Sequence, residues 1–113
     1  MGRFLIATVL FCGATAVAST AYADEAQVQR GKAVYDAQKC SQCHIIAGEG
    51  KRFALDGVGA KLSDAEIREW LVHPKDAAAK AKSTKKPVMK DYSKLPAADI
   101  DALVAYMKTL TKK

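Results

Sequence analysis

Along the chain, apolar positions recur at helical spacing in several stretches and nowhere alternate with polar ones over a strand's length. The spacing predicts a first helix over 25–39, with Ala26, Ala33, Val34 and Ala37 on its apolar side. Gly31 inside that pattern weakens the helix relative to alanine, which points to a close approach by another element. Tyr35 lies one turn further on the same face and reads as core. Ser63-Asp64-Ala65-Glu66 has the form of a capping box. It opens a helix through Ile67, Trp70, Leu71 and Val72 that should stop near His73, before Pro74. A short helix is expected over 76–82. The last begins at Pro96 and carries the stripe Ile100, Leu103, Val104, Met107 and Leu110, with Tyr106 beside it. Glycines and charges make 45–60 a loop, and 83–93 is a second loop. The expectation is an all-α domain without strands.

The 113 residues allow one small domain. Its beginning reads as a leader rather than as fold: Arg3 supplies a positive start, residues 4–11 are an apolar run, and Ala21-Tyr22-Ala23 has the form of a cleavage site. Residues 1–23 are thus expected to be a signal peptide, with the folded domain over 24–113. Cys12 would suit a lipoprotein anchor only if a small residue preceded it, and Phe11 stands there, so cleavage after Ala23 is the reading preferred. That cleavage removes Cys12.

The remaining cysteines lie in Cys40-Ser41-Gln42-Cys43-His44. Cys-x-x-Cys-His is the spacing of c-type haem attachment. Two thiols three positions apart reach the two vinyl groups on one porphyrin edge, and the next residue sets an imidazole beneath the iron. A thioredoxin-like pair would want a βαβ pattern, and a closed zinc site would want four ligands that the single remaining histidine, His73, cannot complete. One covalent haem c, held by Cys40, Cys43 and His44, is therefore expected.

The opposite face of the iron has several candidates: Met89, Met107, His73, a lysine, or nothing. Met107 lies in a helical stripe and reads as core. His73 sits at a helix end before a proline and reads as exposed. Met89 lies on a loop stiffened by Pro87, far enough along for the chain to wrap around the porphyrin, and its soft thioether suits ferrous iron. Met89 is the expected sixth ligand.

Charge adds an expectation about partners. The chain has 18 basic and 12 acidic side chains, with lysines concentrated late, at Lys75, Lys80, Lys82, Lys85, Lys86, Lys90, Lys94, Lys108, Lys112 and Lys113. Such a surface suits redox partners with acidic docking faces, although a lysine-rich solvated surface accounts for any single one. No basic motif interleaved with aromatics points to nucleic acid, and the apolar run is too short for a convincing membrane span. A domain of this size has a marginal apolar core, so the chain without haem is expected to fold poorly.

With these residues in view, the chain resembles the class I cytochromes c, especially the small bacterial ones. The likeness rests on Gly31-Lys32-Ala33-Val34-Tyr35, the motif from Cys40 to His44, Leu55-Asp56-Gly57-Val58-Gly59, the Met89 loop, and Asp99 to Lys108. It implies an all-α fold of three to five helices around one haem, in which the terminal helices cross near right angles. It further implies that Gly31 and Tyr35 meet the face carrying Leu103 and Tyr106, that His44 and Met89 are the axial ligands, and that Trp70 lies near the haem edge or its propionates. Tyr92 also matches the family, three residues after the ligand. Two places depart from the pattern. Phe53 stands where the family usually has a proline whose carbonyl accepts the histidine N–H, and Lys90 rather than proline follows the methionine. The first departure leaves the hydrogen bond possible but the loop's rigidity unexplained.

The function expected is a periplasmic electron carrier with no catalytic constellation. Two alternatives stay open at this level: a dedicated haem subunit of a periplasmic dehydrogenase, and, if Met89 does not ligate, a five-coordinate gas-binding or peroxidase-like protein.

Overall fold

The computed structural model describes Gly13 and residues 19–112. Residues 1–12 and 14–18, with Cys12 and most of the expected signal peptide, lie outside the described residues. The element order is α1 (Ser19–Ala37), a 3-10 turn (Cys40–Gln42), β1 (His44–Ile46), β2 (Glu49–Gly50), β3 (Phe53–Ala54), α2 (Val58–Lys61), α3 (Asp64–Val72), α4 (Pro74–Lys80) and α5 (Ala97–Lys108). The molecule is helix-dominated, as an all-α reading requires. Among the described residues no helix is long and apolar enough to cross a membrane.

The predominant interhelical packing is between α1 and α5. Its tightest point is Gly31: a Cβ there would stand 2.0 Å from the Ala102 carbonyl oxygen and 2.7 Å from the Tyr106 Cβ. Any side chain would drive two backbones apart, so the glycine that weakens the helix in isolation is what lets the pair meet. One turn on, Tyr35 and Tyr106 pack edge to face with ring centroids 5.7 Å apart. The expected partner face is thus right at Tyr106, but the backbone of Ala102, rather than Leu103, meets Gly31. Leu103 is the most deeply buried large side chain, 1% exposed, in a core with Tyr35, Ile67, Leu71, Ile100, Val104 and Met107.

The expected apolar side of the first helix needs correcting. Ala26, Ala33 and Ala37 are exposed, while Gly31 and Tyr35 are buried and Val28, Val34 and Gln38 are half-buried. Alanines are indifferent to burial in a helix. The larger and the smallest residues mark the inner face.

The capping box forms as expected. The Ser63 hydroxyl accepts from Glu66 N at 3.2 Å, and Ser63 N donates to Glu66 Oε2 at 2.7 Å. The helix ends at Val72 with His73 as C-cap, and Pro74 then opens α4 directly, two residues earlier than the pattern suggests. Proline suits this first position because it has no N–H to leave unpaired. At α5, by contrast, Pro96 is the N-cap rather than the first helical residue.

The segment expected to be a loop contains strands. β1 pairs antiparallel with β2 and parallel with β3, in the order β2-β1-β3. Ala47 and Gly48, both at positive φ (51° and 83°), link β1 to β2, as a two-residue hairpin turn requires. The usual Asn-Gly signal is absent. Asp56 Oδ1 accepts from Ala47 N at 2.9 Å and holds the turn from outside the hairpin.

Two predictions follow from the α1–α5 contact. Gly31→Ala places a methyl group against backbone and should destabilise the haem-loaded protein by about 3 kcal/mol, read as a lower urea midpoint. Tyr35 is 5% exposed, and its hydroxyl has no hydrogen-bond partner. Burial, the largest cause, pushes its pKa from 10.0 up to about 12. The unfolded chain releases this proton first, so stability falls as pH rises through 10 to about 12. Tyr35→Phe should leave stability at pH 7 unchanged or raised by up to about 1 kcal/mol. It should also remove the Tyr35 share of the alkaline loss, as urea midpoints at several pH values would show.

Candidate haem site

The motif begins where α1 ends. Lys39 adopts a left-handed conformation (φ 56°) that stops the helix and turns the chain into the 3-10 turn Cys40–Gln42. This places Cys40 half-buried against the core and Cys43 exposed, both as free thiols. Burial pushes the Cys40 thiol up to about 11. The two cysteines thus differ in exposure before any bond is made.

His44 opens β1 and pairs across it with Phe53 of β3. Its Nδ1 lies 3.3 Å from the Phe53 carbonyl oxygen, a donor–acceptor contact when Nδ1 carries the proton. That tautomer leaves Nε2 with a free lone pair, which is what a metal requires of an imidazole. Burial is the main reason that the His44 pKa falls below its usual value. The Phe53 carbonyl opposes the shift, and the Lys85 ammonium adds to it. The ring is therefore neutral and able to ligate at neutral pH.

Phe53 resolves the question raised by the missing proline. Its N–H donates to the Cys43 carbonyl at 3.0 Å, and Leu55 N donates to the Ile45 carbonyl at 2.8 Å. A proline has no N–H to give. The strand pairing supplies the rigidity that a proline ring would otherwise supply. On the other side of β1, a Cβ on Gly50 would stand 1.9 Å from the His44 carbonyl oxygen, so only glycine allows β2 to come this close.

Met89 is half-buried, packs on the core and lies in contact with His44. Hydrogen bonds on either side hold its loop. Ser83 N donates to the Ala78 carbonyl at 2.9 Å, closing the end of α4, and Tyr92 N donates to the Leu71 carbonyl at 2.9 Å, tying the far side to α3. Tyr92 itself is half-buried against the core. The other candidates are placed elsewhere: His73 is exposed at the junction of α3 and α4, and Met107 is 6% exposed in the core stripe of α5. Trp70 is half-buried on α3.

Two features of the site were not legible as motifs. The first is the Lys85 ammonium, 5.2 Å from the centroid of the Phe53 ring, which joins the Met89 loop to the His44 loop. The second is Lys108, in the last turn of α5. Its Nζ donates to the carbonyls of Gly59 at 2.8 Å and Leu62 at 3.1 Å, while Gly59 N donates to the Leu110 carbonyl at 2.8 Å. Both lysines sit among many others in the sequence, and nothing in their spacing singles them out.

The donor set fits a covalent haem: two free cysteines at the required spacing, one neutral imidazole with Nδ1 engaged and Nε2 free, and a thioether in contact with it. Half-buried Leu55, Val58, Leu62 and Val72 pack on the core and extend its apolar surface. Neither a curated protein nor a solved structure matches the chain. A family model described as Cytochrome c matches residues 28–111, from the first helix through the end of α5. The match spans the attachment motif and both terminal helices, and the chain belongs to the cytochrome c family, whose haem c is bound covalently and carries iron.

Proposed function

We propose that this protein is a one-electron carrier that works in the periplasm. In this reading Cys40 and Cys43 would bond the haem, and His44 and Met89 would be the two protein ligands of its iron. When bound, the haem supplies a single metal centre that takes up and gives up one electron. The contact between His44 and Met89 carries the proposal. The two residues are far apart in sequence and of the donor types that a six-coordinate, low-reorganisation site uses.

Each residue has a defined task. The cysteine sulfurs would hold the haem through thioether bonds to its two vinyl groups. The Phe53 carbonyl holds the His44 ring by Nδ1 and directs Nε2 outward. Burial keeps that ring neutral. The Met89 thioether is a soft donor that favours the reduced iron and so raises the reduction potential. The loop's attachments at Ser83 and Tyr92 hold the thioether on station.

The partners of a cytochrome c are redox proteins. The exposed lysines of α4 and the Met89 loop support docking against acidic faces of such partners. Residues 1–23 read as an export signal, which suits the attachment of c-type haem outside the cytoplasm. A carrier is the ordinary role of a cytochrome c domain.

Met89→Ala tests the ligation. The reduced wild type should bind carbon monoxide slowly or not at all. The reduced variant should bind it rapidly, with its potential lower by on the order of 0.1 V or more, within the range that axial ligands command. An unchanged potential and no carbon monoxide binding in the variant would assign the sixth position to another residue.

A further inference from the structure

We infer that Lys85 is a positioning residue which raises the reduction potential of the haem by holding a positive charge on the proximal side, seated on Phe53. The inference rests on the reading above, in that it takes His44 as the proximal ligand.

The geometry is a relay of three groups. The His44 imidazole meets the Phe53 carbonyl at 3.3 Å, and the ring of that same Phe53 carries the Lys85 ammonium 5.2 Å from its centroid. This distance is within the range at which an aromatic face attracts a cation. The charge is thus fixed one residue away from the imidazole rather than sweeping through solvent on a four-carbon stem.

The backbone that carries Lys85 is also held. Beyond α4, Ala81 N donates to the Ala77 carbonyl at 3.0 Å, Lys82 takes a left-handed conformation (φ 51°), and Ser83 N donates to the Ala78 carbonyl at 2.9 Å. The Ser83 hydroxyl then accepts from Lys85 N at 3.3 Å. These bonds aim Lys85 across the molecule to β3. Elsewhere on the loop, Lys90 stacks on Tyr92 at 5.7 Å, but Tyr92 makes no hydrogen bond to the imidazole.

The physical consequence has a definite sign. Ferric haem carries one more positive charge than ferrous haem, so a fixed cation nearby disfavours the oxidised form and raises the potential. Phe53 in place of the proline usual in the family provides the seat. Its N–H pairs with Cys43 as well, so one residue both holds the loop and places the charge.

The test is the reduction potential of the haem-loaded protein in wild type, Lys85→Arg, Lys85→Gln and Lys85→Glu, at low and high salt. Lys85→Arg should match the wild type. Lys85→Gln should lower the potential, and Lys85→Glu should lower it about twice as far. The differences should shrink towards zero near 1 M salt, where the Debye length is about 3 Å. In a Phe53→Leu background, which keeps the carbonyl but removes the ring, Lys85→Gln should lose more than half of its effect. A potential indifferent to charge at position 85, or a Lys85→Gln effect that survives intact without the ring, would overturn the inference. Absorption spectra of the same samples separate the two readings. A low-spin spectrum with no charge effect defeats the role of Lys85 alone, whereas a wild type without a low-spin spectrum defeats the ligation and the inference with it.

Discussion

The close approach of α1 and α5 at Gly31 is the contact on which the rest of the structure depends. One turn and a half after Gly31 the first helix ends, and the attachment motif begins at Cys40. The last helix, packed against the same point by the Ala102 carbonyl, carries most of the buried core. Joining the two ends of the chain in this way fixes where Cys40, Cys43 and His44 emerge. Without it the motif would hang from a single helix with no other helix packed on it. The exposed ion pair of Arg30 with Asp99 at 2.8 Å spans the same two helices but adds little by comparison.

From that fixed point the middle of the chain is laid down in two arms. The first runs through the small sheet, where β3 lies parallel alongside β1 and Phe53 offers its carbonyl to His44. The second runs through α3 and α4 and returns along the Met89 loop, tied to α4 at Ser83 and to α3 at Tyr92. The two arms touch at Lys85 on Phe53 and at Met89 beside His44. Lys108 fastens the end of α5 to α2. Electron transfer asks for a centre whose surroundings move little between oxidation states, and these attachments hold the His44 and Met89 loops from several sides.

The sequence made the site legible and the packing only partly so. Cys-x-x-Cys-His states its chemistry in five positions because covalent attachment and ligation both demand fixed spacing. The capping box at Ser63 and the stripe on α5 were equally plain, since each is a local rule that the structure obeys. The inner face of α1 was not, because its alanines carry no preference and the contact is made by a glycine. The strands around His44 were missed for a related reason. They are two or three residues long, their turn is Ala-Gly rather than Asn-Gly, and the pairing that justifies them is between residues several positions apart. Phe53 shows both sides of this. The sequence identified it as the place of the missing proline, but only the pairing of its N–H with Cys43 explains why phenylalanine serves there.

An electron carrier of the proposed kind needs His44 and Met89 to hold the same iron. The most direct measurement is the far-red absorption of the purified oxidised protein at neutral pH. A weak sulfur-to-iron charge-transfer band on a low-spin spectrum is the result expected of a thioether opposite an imidazole. A high-spin spectrum without that band would mean an open iron face, and would contradict the electron-carrier reading in favour of gas binding or peroxide chemistry.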